Sequence, residues 1–241
     1  MKVIQISDLH FHQDPNHRIF GLVNTNETFL NVLERVIEES PDFVIATGDL
    51  SQDGSIESYK RLNNYLKKVP CDIYAIYGNH DLPENFDSTL ISHNIKKQKY
   101  LHTNFGNFIF LSSYKISSDS GLISDKELLD LEQFLQNYDN CIIVIHHHFI
   151  ELNSIIDDFI LENRNQFLDI LLKHKNKIKL CITGHVHNTC DIDFNGIKIH
   201  CGLSTCLQFA FTKELLFENK KPGYTVYNFS GDDYEIIEKT V

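Results

Sequence analysis

Short apolar runs alternate with longer amphipathic ones along most of the chain. Lys2–Ser7 reads as a strand. Asn24-x-x-Glu27 has the form of a capping box, and behind it Phe29, Leu30, Val32, Leu33, Val36 and Ile37 make a helical stripe that Pro41 ends. Phe43–Thr47 is rich in strand formers, and a helix follows around Glu57–Lys67. Asp72–Tyr77 and Phe108–Ser112 read as further strands. Ser124-x-x-Glu127 is a second capping box, heading a helix that runs to about Tyr138. Cys141–Ile145 is a wholly apolar run, short enough for a strand buried on both faces. A helix near Asn165–His174 leads into a strand at Lys179–Thr183.

The last third changes character. Asp191–Phe194, the Asn195-Gly196 turn and Ile197–Cys201 predict a hairpin. Tyr224–Ser230, Gly231-Asp232 and Tyr234–Ile237 predict another. The first three quarters are βαβ-like and the tail is antiparallel. No linker, low-complexity tract or internal repeat divides them, so the pattern predicts one α/β domain.

Composition narrows the function. The chain has 241 residues, 42% of them hydrophobic, which is too apolar for a disordered protein. Its formal net charge is −11, which argues against generic binding to duplex nucleic acid or an anionic membrane surface. Thirteen His in an acidic chain are out of proportion. The six Cys (71, 141, 181, 190, 201 and 206) include no Cys-x-x-Cys pair, so neither a zinc ribbon nor a thioredoxin-like motif is supported. The N-terminal apolar stretch is closed by Asp8, too early for a signal sequence, and no window approaches a membrane span. These features predict a cytoplasmic protein with reduced thiols, with a disulfide among the late Cys left open.

The polar residues that interrupt the pattern stand where strands end. The first strand ends in Asp8-Leu9-His10, the second in Gly48-Asp49, and the third in Gly78-Asn79-His80-Asp81. Cys141–Ile145 ends in His146-His147-His148, and Lys179–Thr183 in Gly184-His185-Val186-His187. Ligands of open α/β sheets bind outside the carboxyl ends of the strands. Oxygen and imidazole donors without thiolate suit Mn, Fe, Co or Zn. A carboxylate can bridge two cations, and a pair roughly 3.5–4 Å apart clamps an in-line displacement at phosphorus. Cations would also reconcile net charge −11 with an anionic substrate.

This ordered set resembles the calcineurin-like metallophosphoesterase superfamily. Within it, the chain is similar to the bacterial class III 3′,5′-cyclic AMP phosphodiesterases, from about Lys2 to Val241. That narrower likeness rests on Gly48-Asp49-Leu50-Ser51-Gln52-Asp53, the His146–His148 run, Gly184-His185-Val186-His187, Ser204-Thr205-Cys206 with Gln208-Phe209, and Pro222-Gly223-Tyr224. The chain departs from the branch at Tyr77, Phe149 and Leu203, where Pro is usual, and at Leu111-Ser112-Ser113, where Leu-Asp-Ser is usual. None of these replaces a metal ligand.

The resemblance implies a four-layer α/β/β/α sandwich, two mixed sheets flanked by helices, filling residues 1–241 as a single domain. It implies one metal held by Asp8, His10, Asp49 and His187, and a second held by Asp49, Asn79, His146 and His185, with Asp49 as the bridge. His146 is the ligand among three adjacent His because it directly follows the strand; His147 then supports it and His148 faces solvent. The implied cofactors are two divalent or trivalent ions, of Fe, Mn or Zn. The implied reaction is hydrolysis of 3′,5′-cyclic AMP to 5′-AMP by a metal-bridging hydroxide. His80 is the expected donor to the leaving oxygen, with Asp81 orienting its ring and holding it protonated. His12, Cys206, Gln208 and Phe209 are candidate substrate contacts, whereas His93, His102, His174 and His200 fit solvated or satisfied side chains. The expected partner is a small cyclic nucleotide, with no nucleic-acid polymer and no membrane, in a monomer or homodimer. Another phosphodiester, a phosphomonoester or a nucleotide-linked pyrophosphate is the alternative substrate, and a non-catalytic scaffold is the remote one.

Overall fold

In the strands, period-two alternation sends the two faces of each to two different cores. The computed structural model describes residues 1–241. In β1 (Lys2–Ile6), Ile4 and Ile6 face one cluster and Val3 another. In β2 (Phe43–Ala46), Val44 and Ala46 join the first, Phe43 and Ile45 the second. β3 (Asp72–Ala75) divides in the same way, with Ile73 and Ala75 opposite Tyr74. The same parity divides β7 (Cys141–Val144): Ile142 and Val144 share the second cluster, Cys141 and Ile143 a third. The second cluster is therefore the seam between two sheets.

The first sheet runs β12 (Asp233–Thr240), β11 (Gly223–Ser230), β1, β2, β3 and β4 (Ile95–Lys96). The second runs β5 (Tyr100–His102), β6 (Asn107–Phe110), β7, β8 (Ile178–Thr183), β10 (Ile197–Cys201) and β9 (Cys190–Phe194). β1, β2, β3 and β4 are parallel, as are β6, β7, β8 and β10, and the remaining neighbours are antiparallel. Both sheets are thus mixed, as expected. The two tail hairpins do not form a separate layer: one extends each sheet.

Helices cover the outer faces. α1 (Thr25–Glu38), α2 (Ile56–Leu66) and the short α3 (Pro83–Thr89) bury Phe29, Val36, Tyr59, Leu62 and Phe86 against the first sheet. α4 (Asp125–Asn137) and α5 (Arg164–Lys173) bury Leu131, Leu135, Phe167 and Leu171 against the second. No helix is long and apolar enough to cross a membrane.

Both predicted capping boxes are half-formed. Asn24 Oδ1 accepts from the Asn26 and Glu27 amides at 3.0 and 3.3 Å. Ser124 Oγ accepts from the Glu127 amide at 3.2 Å, but the Glu127 carboxylate pairs with Lys99 and the Ser112 amide instead of returning to the cap. α3, β4 and β5 were not expected. α3 has seven largely polar residues and buries only Phe86, and β4 has two residues, too few to carry a period. All six cysteines are free, although Cys190 and Cys201 face each other across β9 and β10.

The seam supports both sheets at once. Ile142→Ala, at a fully buried position there, is expected to lower unfolding stability by about 2–5 kcal/mol, measured by chemical denaturation.

Candidate metal centre

The expected rim is assembled from both sheets. Asp8 and His10 follow β1, Asp49 follows β2, and Asn79 follows β3. His146 follows β7, and His185 and His187 follow β8. His10 Nε2 lies 2.9 Å from His187 Nε2 and 3.7 Å from Asp49 Oδ2, and His187 Nε2 lies 3.7 Å from Asp8 Oδ1. Donor atoms of Asp8, His10, Asp49 and His187 all fall within 4.8 Å of one another. On the other side, His146 Nε2 is 3.5 Å from the same Asp49 Oδ2 and 3.1 Å from Asn79 Oδ1, which His185 Nδ1 also approaches to 3.1 Å. One Asp49 oxygen faces both groups.

The hydrogen bonds orient the lone pairs inward. His146 Nδ1 donates to the Thr47 carbonyl at 2.7 Å, which leaves Nε2 as a bare lone pair. His185 Nε2 donates to the Phe159 carbonyl at 3.1 Å, which leaves Nδ1 bare. Both bare nitrogens then face the acceptor oxygen of Asn79. Acceptors aimed at acceptors repel unless a cation lies between them, so this donor set fits metal ions. The burial of these groups fits as well. Burial lowers the pKa of His10, His185 and His187, which keeps their rings neutral and able to bind a metal. Burial raises the Asp8 carboxyl. At Asp49 burial opposes the charge, but the His146, His80 and His10 rings outweigh it and hold the carboxyl well below the usual range. Burial likewise opposes a proton on His146, yet Asp49 beside it pushes that ring up to about 9, so the Nε2 lone pair is bare only when a cation takes the place of its proton.

The backbone is strained at the same places. Asp8, His10, Asp49, His185 and His187 have φ of +55°, +51°, +51°, +70° and +48°. Such conformations for residues other than glycine cost of order 1–3 kcal/mol each and gather at functional sites. Loop-to-loop bonds impose them. The Asp8 carboxylate accepts from the His185 amide at 3.1 and 3.2 Å, the Asp49 carboxylate accepts from the His80 amide at 2.9 Å, and the His10 amide donates to the Asp49 carbonyl at 2.9 Å.

Several sequence expectations are corrected here. Asp81 does not touch the His80 ring. Its buried carboxylate accepts from the amides of Leu50, Ser51 and Gly78 and from the Tyr59 hydroxyl at 2.9–3.2 Å, tying together the loops after β2 and β3. Burial pushes this carboxyl up to about 6. The partner of His80 is Gln52, whose carbonyl accepts from His80 Nδ1 at 3.2 Å. His148 is not solvent-facing but buried, with Nε2 at 3.3 Å from Asp157 Oδ1. His147 is buried against the His146 and His185 rings, where its Nδ1 accepts from Ser113 and its Nε2 donates to the Asp119 carbonyl.

A cavity of about 550 Å³ opens over the centre. Its floor carries His10, Asp49, Asn79, His185 and His187, with His80 and Gln52 beside them. Phe209 lines it and stacks on His187 at 4.3 Å and 7°. Cys206 and Gln208 do not line it: Cys206 Sγ lies under His187 Nδ1 at 3.7 Å, and the Gln208 side chain bonds the Ser204 backbone. His12 does not line it either, because its ring stacks on His17 at 4.0 Å and its Nδ1 accepts from the Asp14 amide; His17 reaches the wall instead. The apolar wall of Ile19, Phe20, Ile156, Phe159 and Leu215 was missed. Its only signals were short apolar runs, Ile19-Phe20, Ile155-Ile156 and Leu215-Leu216-Phe217, in stretches with no helical or strand period. The lining contains no Lys or Arg.

Two sheets that meet at a rim of facing oxygen and imidazole donors make a site fitted to metal ions, and comparison with known proteins supplies its class. The calcineurin-like phosphoesterase model matches residues 1–189. A probable cyclic nucleotide phosphodiesterase of Coxiella burnetii is 32% identical over 94% of this chain and 92% of its own length. A 3′,5′-cyclic adenosine monophosphate phosphodiesterase of Vibrio vulnificus is 31% identical over 93% of this chain and 84% of its own. Among solved structures, a dimetal phosphatase from Danio rerio shares the fold with a TM-score of 0.70 at 12% identity, covering 99% of this chain and 98% of that one. The chain belongs to the calcineurin-like phosphoesterase family, and it is a metal-dependent phosphoric ester hydrolase.

Two substitutions probe the construction. Gly48 has φ +95°, and a Cβ there would meet His146 Nδ1 at 2.5 Å. Gly48→Ala should therefore weaken Mn²⁺ binding by at least about tenfold, read by titration calorimetry. Asp81→Ala leaves three amides and a hydroxyl unpaired, so its melting temperature should fall steeply, with a stability loss of about 3 kcal/mol or more.

Proposed function

We propose that the protein is a dinuclear phosphodiesterase that hydrolyses 3′,5′-cyclic AMP to 5′-AMP. The observation that carries this reading is the single Asp49 oxygen facing two donor groups. Asp8, His10, Asp49 and His187 would hold one cation, and Asp49, Asn79, His146 and His185 the other. When bound, the pair would make a nucleophile from water at neutral pH and offset charge on the phosphoryl oxygens. The donors suit Fe, Mn or Zn.

The protein's own residues do the rest. The new P–O bond forms opposite the breaking P–O3′ bond. His80, anchored through Nδ1 on the Gln52 carbonyl, presents Nε2 to the leaving 3′ oxygen and gives it a proton. Asp81 acts only by fixing the two loops that hold Asp49 and His80. Phe209 closes one wall and excludes water beside His187.

The charge of the walls favours a diester. A phosphodiester carries one negative charge, a monoester up to two, and no Lys or Arg lines the cavity to meet the second. The names of the relatives support a cyclic nucleotide. We read residues 1–241 as one catalytic unit, because β11 pairs with β1 and Phe209 completes the wall beyond the family match. Six free thiols suit a cytoplasmic protein.

The test compares Mn²⁺-loaded protein on 3′,5′-cyclic AMP, 2′,3′-cyclic AMP, a bis-ester and a monoester. The expected result is fastest turnover of 3′,5′-cyclic AMP, abolished by a chelator and restored by Mn²⁺. Preference for the monoester overturns the reading. Asn79→Ala should lose at least about 100-fold in activity while keeping its circular dichroism spectrum; full activity would remove Asn79 from the centre.

A further inference from the structure

Phe20 has an unusual place in the chain. Its φ is +52°, in the left-handed region where a bulky side chain is an outlier. It shares a tight turn with Gly21 at φ +71°, closed by the Ile19 amide on the Val23 carbonyl at 2.9 Å and the Leu22 amide on the Ile19 carbonyl at 3.0 Å. Gly in both positions would relieve the strain. The ring is not there for burial, since Phe20 is 51% exposed. Yet it lines the cavity, propped by Phe209 at 5.9 Å and Phe217 at 5.1 Å. Phe209 has one face covered by His187 at 4.3 Å, which leaves Phe20 and the 36% exposed Phe159 as wall rings with an open side, and of these only Phe20 is held there by a strained backbone.

A strained backbone that holds a half-exposed aromatic ring over a cavity is explained by a ligand for that ring. We infer that Phe20 is a specificity-determining residue that receives the planar base of the substrate, while the phosphoryl group rests on the floor beyond Phe209. This rests on the cyclic-nucleotide reading and adds to it the residue that holds the base. The specificity is for a base-bearing substrate over a base-free one and not for a particular base, because every base has a π-face.

The experiment compares steady-state kinetics of wild type, Phe20→Ala, Phe20→Gly and Phe20→Tyr. Two substrates are used: 3′,5′-cyclic AMP and the 3′,5′-cyclic phosphate of methyl riboside, which lacks the base. Phe20→Ala and Phe20→Gly should raise KM for cyclic AMP about tenfold, a typical loss for one stacking contact, with kcat unchanged. Phe20→Tyr should keep the wild-type KM, and KM for the base-free compound should not move in any variant. Phe20→Gly should melt no lower than wild type, because glycine relieves the positive φ. An active wild type with the same KM as Phe20→Ala overturns this inference alone. A parallel rise for the base-free compound, or a clear drop in the melting temperature of Phe20→Gly, overturns it as well. Wild-type protein inert toward cyclic nucleotides overturns the functional reading and this inference with it.

Discussion

The constraint on which this molecule depends is the repulsion between its own acceptor atoms. His146 and His185 aim lone pairs at one Asn79 oxygen, and His10 and His187 bring ring nitrogens within 2.9 Å of each other. Two buried carboxylates stand among them. Without a cation, only the attraction between the Asp49 carboxylate and the rings beside it, His146 above all, draws the group together. The surrounding structure must hold it open and convergent, and the loops show how. Six of the seven donors, all but Asn79, are bonded through a backbone atom to another loop, so none of the six retreats without breaking a bond elsewhere.

That holding needs a rigid support, which the two-sheet seam supplies. Five strands from two sheets end at one rim, and the seam fixes one sheet against the other through residues such as Val3, Ile45, Ile142 and Ile182. The positive φ at five of the seven donor residues is strain that this support sustains. Gly48 shows the tolerance involved, since a single added carbon would meet the His146 ring. Asp81 serves the same end: its carboxylate joins the loops after β2 and β3 by accepting from three amides and a phenol.

The elements around the centre were legible because burial on both faces leaves continuous apolar runs, and because polar residues at their ends interrupt a strong pattern. The donors were legible because their residue types and order are chemically restrictive. Side-chain direction was not. Asp81 follows His80 in the chain, which suggested a pair, but consecutive residues of a loop point apart and Asp81 turns inward. His12 follows Asp8 and His10 closely, yet stacking on His17 keeps it off the wall. Cys206 and Gln208 belong to a recognisable stretch, and local bonds to Ser204 turn them beneath the site. The apolar wall comes from segments far apart in sequence, and only the fold brings Ile19, Ile156 and Leu215 together.

Net charge −11 and thirteen His looked like a conflict with any anionic substrate. The structure places the conflict within one cavity. Its floor holds the carboxylates and imidazoles, its wall is apolar, and it lacks any Lys or Arg. A phosphoryl group would find no Lys or Arg there, so most of the attraction must arrive with the cations. This separates two tasks that a basic pocket would combine. Cation charge would hold and activate the phosphoryl group, while the apolar wall would hold the organic remainder with no charge of its own. The product of diester hydrolysis gains a negative charge against that uncharged wall. Only cations on the floor would meet that added charge, because the wall carries no Lys or Arg and holds the organic part of substrate and product alike.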